Sequence, residues 1–228
     1  MDITPIDFLI YGLPLLLAIP LHEAAHGFVA YRCGDPTAYK QGRVTFNPFK
    51  HVDPLGTIIL PAMLILAHAP FVFGWAKPVP VNFAKLRHLR RDMVLVAAAG
   101  PGINLLLAFA SAIALRLTIG DLQPNSPAPW YGEMLFFSLM LNVALAIFNL
   151  VPLLPLDGGR IVTGLLPPKL ARPYAKTEKF GFPLLISVLV LLPLLGEFFG
   201  QNWSVFQAVL APPIFSTMQA IMSLAGMH

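Results

Sequence analysis

The sequence predicts an all-α, multi-pass membrane protein, a bundle of about five to six transmembrane helices with a re-entrant or hairpin segment near residues 55–85. Three observations lead there. Only 11% of the 228 residues are charged and 57% are apolar, where soluble domains carry about 25% charged residues. Several apolar runs are long enough to cross about 30 Å of hydrocarbon. The basic residues are gathered into three clusters, so the net charge of +4 reports membrane topology and not a nucleic-acid partner.

Taken in order, residues 1–7 lack the basic stretch that opens a cleavable signal peptide, so the first apolar run, 8–31, is expected to persist as a spanning helix. Further runs follow at 93–118, 133–156, 182–199 and 204–226. Their prolines are compatible with membrane helices, where neighbouring helices satisfy the freed backbone groups. A sixth run, 55–73, is ambiguous because Pro54, Pro61 and Pro70 punctuate it. Of the 15 Lys and Arg residues, all but Arg116 fall in 32–54, 77–92 and 157–181, whereas the loops 119–132 and 197–203 have none. The positive-inside rule places all three clusters in the cytoplasm. The N-terminus is then outside, 8–31 and 133–156 run inward, and 93–118 runs outward. Segment 55–73 must return to the side on which it started, or the five basic residues of 77–92 would be stranded outside. The expected organisation is one membrane-embedded domain over 1–228, with a catalytic core of about 8–160 and two additional C-terminal helices at about 182–226.

The first helix carries His22-Glu23-Ala24-Ala25-His26, an HExxH pattern, directly after a stretch, 8–21, without charge. Residues four apart share a helix face, so both imidazoles can converge on one ion. In zinc peptidases with this pattern the intervening Glu is the general base on the metal-bound water. Ionisable groups at membrane depth cost about 2.5–3.5 kcal/mol each on insertion scales. A pair of histidines merely hydrogen-bonded in a helical core leaves Glu23 beside them unaccounted for. The single cysteine, Cys33, excludes an intrachain disulfide and a Cys-based zinc site, and reads as a small residue at a helix end.

A catalytic zinc usually has three protein ligands. The spacing of one common arrangement would need Gly and His at positions holding Val29 and Arg32, and the next glutamate after Glu23 is Glu133, at a helix boundary like Glu197. The remaining strong candidate is Asp157, in Asn149-Leu150-Val151-Pro152-Leu153-Leu154-Pro155-Leu156-Asp157-Gly158-Gly159-Arg160. The prolines disturb the helix there, and the glycines permit a close backbone approach. Because 8–31 and 133–156 are expected to run in the same direction, His22, His26 and Asp157 fall at similar depth. The alternative for Asp157 is an ordinary helix-end turn. His51, His68 and His88 have no partner at ligand spacing.

These motifs resemble the site-2 protease family of intramembrane zinc metalloproteases, in a compact form without PDZ-like or CBS-like domains. The HExxH at 22–26 and Leu156-Asp157-Gly158 match its two principal motifs. Ala99-Gly100-Pro101-Gly102-Ile103-Asn104 resembles its AGPxxN segment, and Gly74-Trp75-Ala76-Lys77-Pro78-Val79-Pro80-Val81-Asn82 resembles the hairpin of its smaller bacterial members. The resemblance implies one Zn²⁺ held by His22, His26 and Asp157, with Glu23 as acid–base catalyst. The substrates it implies are transmembrane proteins or peptides in the lipid bilayer, and the location is a cell (inner) membrane with the site toward the cytoplasm. By the same analogy Asn149 donates a hydrogen bond to the substrate carbonyl or oxyanion; the alternative is an interhelical bond. Asn104 is expected to serve helix packing beside Gly100 and Gly102. Residues 74–82 read as extended, either a strand edge for an unwound substrate or a structural hairpin at the membrane surface. The competing function is a divalent-metal transporter or sensor using the His/Asp site, which would need the ligands but not Glu23. Oligomeric state is not legible in the sequence.

Overall fold

A computed structural model describes residues 5–45, 47–59, 63, 76–119, 129–201 and 203–227. Among these the chain is all-helical, with four helices long and apolar enough to cross a membrane. The first, α1 (Phe8–Arg32), opens with a π-helical turn at Phe8–Gly12; α2 spans Leu89–Ile119 and α3 spans Trp130–Asn149. Two short helices follow, α4 (Asp157–Leu165) and α5 (Pro168–Ala175), then α6 (Glu178–Phe198), the fourth candidate span, and α7 (Ala211–Leu224). The five to six spans expected from the sequence therefore include one run, 204–226, that is helical but not among those four. Pro212, Pro213 and Gln219 dilute its apolar character. Most of the ambiguous run 55–73, with His68, lies outside the described residues, as do Gly74 and Trp75.

The three helices that frame the site alternate in direction. Tyr11 packs edge-on against Phe137 with ring centroids 5.0 Å apart, and Leu115 lines a cavity with Tyr11 and Glu133. Further along, Asn104 reaches both His22 and Asn142. Thus α1 and α3 run the same way and α2 runs against both. Small residues make the contact close: Ala108 and Ala112 of α2 meet Leu139 and Val143 of α3, and Ile214, Met218 and Ile221 of α7 complete this core. Large apolar side chains point outward, among them Leu106, Leu117 and Phe198. In water this would be costly; in lipid it is the expected solvent-facing surface.

Two helix ends determine where the site lies. At the end of α1, Gly34 adopts φ +110°, Asp35 N–H donates to Ala30 O (2.9 Å) and Gly34 N–H donates to Tyr31 O (3.1 Å). This is a Schellman termination, which needs a left-handed residue and so favours glycine. It delivers Asp35 directly to the segment 76–82. At the end of α3 the helix stops at Asn149, not near 156 as expected. Residues 150–156 are wholly apolar and prolong the hydropathy run, but Pro152 and Pro155 cannot continue the helical hydrogen bonding. A tight turn follows instead, with Leu156 N–H on Leu153 O at 2.9 Å, and α4 begins at Asp157. A Cβ on Gly158 would lie 2.2 Å from Leu150 O, and one on Gly159 2.5 Å from Leu154 N. The glycine pair is what lets α4 fold back onto the turn.

Candidate metal centre

Position 157 is the first residue of α4, where the unpaired N–H groups of a helix favour an anion. Its carboxylate meets the face of α1 that carries both histidines. Asp157 Oδ2 lies 3.2 Å from His22 Nε2 and 3.3 Å from His26 Nε2, and the two Nε2 atoms are 3.0 Å apart. All three residues are largely buried.

The far side of each ring decides what those three atoms are. His26 Nδ1 lies 2.7 Å from the carbonyl oxygen of Val96, which can only accept, so Nδ1 carries the proton. His22 Nδ1 lies 2.6 Å from Asn104 Oδ1 and donates to it in the same way. In the neutral imidazoles both Nε2 atoms are then bare lone pairs, and Asp157 Oδ2 is buried without a hydrogen-bond donor. Three unprotonated acceptors about one ligand spacing apart repel one another, and a cation between them removes the repulsion. Tetrahedral zinc with bonds of about 2.0–2.2 Å sets its ligand atoms about 3.3–3.5 Å apart, close to the triangle found here. The trio therefore fits zinc, with the outward N–H of each imidazole anchored as metal-ligating histidines require.

Glycine makes this convergence possible. A Cβ on Gly100 would sit 2.4 Å from His26 Nε2 and 2.5 Å from His22 Nε2. The α2 backbone passes directly beneath the ligand atoms, and no side chain fits there.

Glu23 faces the same cavity, which measures about 370 Å³ and is also lined by Val79, Asn149, Asp157 and Arg160. Glu23 Oε2 accepts the N–H of Val79 at 2.6 Å. Residues 76–82 carry no regular structure and are held by side chains. Arg43 Nη2 donates to Lys77 O (2.7 Å) and Pro78 O (3.3 Å), and Asp35 Oδ2 accepts Asn82 N–H (2.6 Å). Gly27 lets the segment approach α1, since a Cβ there would meet Val79 Cγ1 at 3.0 Å.

Asn149 does not sit on one regular helix with Asp157, because α3 has already ended; its Nδ2 donates to Leu145 O at 2.9 Å, and its side chain lines the cavity from the last turn of α3. Arg160 reaches the cavity rim, paired with Glu178 (3.1 Å) and stacked over Phe83 (5.1 Å). Asn104 is not simply at a helix contact, as expected, but on His22 itself. Sequence reasoning missed this, together with the roles of Asp35 and Arg43. Gly100 was visible only as a close-packing residue. A larger apolar cavity, about 470 Å³, lies toward the other ends of α1 and α3, and among the described residues no cluster of metal-ligating side chains lines it.

The sequence pattern of peptidase family M50 matches residues 119–192, which contain Asn149 and Asp157. YwhC of Bacillus subtilis (strain 168), named "Putative zinc metalloprotease", is 44% identical over 182 residues, which is 79% of this chain and 79% of that protein. Rip2 of Mycolicibacterium smegmatis, with the same description in its name, is 31% identical over 81% of this chain and 67% of its own length. Rip2 of Mycobacterium tuberculosis (strain H37Rv) is 32% identical over 84% of this chain and 70% of its own length. No solved structure matches the chain.

Proposed function

This chain belongs to peptidase family M50 and is an integral-membrane zinc metalloprotease of the site-2 type, and from that premise we propose that it hydrolyses peptide bonds within or beside transmembrane segments of membrane-protein substrates. The observation that carries the proposal is the meeting of His22, Glu23 and His26, on a helix apolar enough to span the bilayer, with Asp157 of α4 in one cavity. In this reading His22, His26 and Asp157 hold the zinc ion. When bound there, zinc supplies Lewis acidity, which polarises a carbonyl and lowers the pKa of water.

The remaining steps belong to the chain. Glu23 is fixed by the Val79 N–H at Oε2, which leaves Oε1 to take a proton from the attacking water and return it to the leaving amine. Asn149 uses one N–H of its amide on Leu145 O. The second N–H donates to the substrate carbonyl as negative charge develops there. A peptide bond in an intact helix is shielded by its own hydrogen bonding, so the substrate must unwind before it can enter. Residues 77–82 offer an unwound strand little edge. Pro78 and Pro80 lack N–H groups, and those of Lys77, Val79 and Asn82 are taken by His51 O, Glu23 and Asp35. Pairing with the substrate is therefore confined to Val81 N–H and the neighbouring carbonyls.

The gathering of the basic residues into three clusters supports a site toward the cytoplasmic face of a cell membrane with the N-terminus outside, and in this reading 1–228 acts as one membrane domain. Membership of a protease family weighs against the transporter reading, as does Glu23, for which a metal carrier has no use. The test is cleavage of a single-span model substrate by the purified, reconstituted protein. Cleavage is expected to stop on chelation of zinc and return when zinc is added back, and His22→Ala and Asp157→Ala should neither hold zinc nor cleave. Undiminished cleavage by Asp157→Ala would overturn the assignment.

A further inference from the structure

Two fully buried asparagines, Asn104 of α2 and Asn142 of α3, offer no ligand atom and no acid or base, yet they form a chain of hydrogen bonds that ends on His22. The polarity of that chain is determined at its far end. Asn142 Nδ2 lies 2.9 Å from the main-chain carbonyl of Ser138, which can only accept, so the amide nitrogen of Asn142 must face it. Asn142 Oδ1 then faces Asn104 and requires a donor, which Asn104 Nδ2 supplies at 2.8 Å. A second carbonyl, Ala18 O, lies 3.5 Å from the same nitrogen and favours the same orientation. Asn104 Oδ1 is thereby turned to His22 Nδ1, 2.6 Å away, and that nitrogen must carry the proton.

We propose that Asn104, oriented by Asn142, is a positioning residue that fixes the tautomer of His22, so that Nε2 is bare and aimed at the metal. The proposal rests on the reading of His22 as a zinc ligand. A neutral imidazole away from water has two tautomers, and the wrong one directs an N–H into the site and repels a cation. His26 is protected from this by a backbone carbonyl, Val96 O. At the depth of His22 the same task falls to a side chain. Asn104 stands one turn beyond Gly100 on α2, so one face of that helix both vacates the space at the ligand atoms and holds the trailing nitrogen of His22.

The experiment compares zinc affinity, by chelator competition, and the visible absorption of the Co²⁺-substituted protein in wild type, Asn104→Leu, Asn104→Asp, Asn142→Leu and His22→Ala. Asn104→Leu, close to isosteric, is expected to weaken zinc binding by about 10- to 100-fold and to shift the Co²⁺ bands. Asn142→Leu should do the same to a smaller degree although it touches no ligand, and Asn104→Asp, which keeps an acceptor on Nδ1–H but sets its second oxygen against Asn142 Oδ1, should fall between wild type and Asn104→Leu. Unchanged affinity and unchanged Co²⁺ spectra in both leucine variants, with zinc lost in His22→Ala, would overturn the positioning role and leave the metal site standing. Zinc held normally by His22→Ala would instead overturn the site reading beneath it. A measurement on the zinc-loaded wild type covers a variant that does not fold. With ¹⁵N-labelled histidine, His22 (assigned by its loss in His22→Ala) should show a protonated Nδ1 and a metal-bound Nε2, and a bare Nδ1 there contradicts the proposal.

Discussion

Gly100 shapes the proposed metal centre without contributing an atom to it. The space a Cβ would occupy is already held by both Nε2 atoms, so Gly100→Ala must push the imidazoles apart or lift α2 away from α1. Overpacking of this kind costs about 1–3 kcal/mol, and if the strain falls on the site, zinc affinity drops by about 5- to 150-fold with His22, His26 and Asp157 all intact. Titration of the purified variant with a zinc chelator measures this; an affinity equal to wild type would show that the helices relax freely. Residues such as these were unevenly legible. The HExxH motif is visible because its spacing is local, and Asp157 because few other acids were available. Asn104 is 82 residues from His22 and 38 from Asn142, and no periodicity in the sequence joins them.

At the scale of elements, the segment 76–82 is held against α1 by Glu23 and from beyond the helix by Arg43 and Asp35, with Asp35 as its distal clamp. Burial raises the pKa of the Asp35 carboxyl, but the Thr37 hydroxyl and the N–H groups of Asn82 and Thr37 outweigh burial, and the net value lies below the ordinary carboxylate range. A group with a lowered folded pKa stabilises the fold fully above its unfolded value, about 3.9 for Asp, and the contribution is lost as pH falls through the folded value. Acidification below about pH 4 should therefore loosen this segment. Asp35→Asn, which sets an amide N–H₂ against the Asn82 N–H, should already be less stable at neutral pH by about 1–3 kcal/mol and should lose less on acidification. Thermal unfolding in detergent across that range, on both proteins, checks the sign. The helices themselves were legible to within a few residues because apolar runs of membrane length have few other readings. The end of α3 was not, since residues 150–156 are as apolar as the helix before them, and hydropathy does not register that Pro152 and Pro155 have ended the hydrogen bonding.

For the whole molecule, a shared site requires α1 and α3 to carry their motifs to the same face of the membrane. Their common direction, with α2 opposed, brings His22 and Asp157 within 3.2 Å, and the basic clusters support the proposal that this face is the cytoplasmic one. After Cys33→Ser, a cysteine placed at Lys85 should react with a membrane-impermeant thiol reagent only in inside-out vesicles; labelling of intact cells would invert the topology. Whether Glu23 moves the proton at a zinc site inside the membrane is decided by Glu23→Gln, assayed together for zinc content and for cleavage of a single-span substrate. Zinc should be retained near the wild-type level and cleavage reduced by about 10²- to 10⁴-fold; cleavage at the wild-type rate, or loss of the metal together with the activity, would show that Glu23 does not have this role.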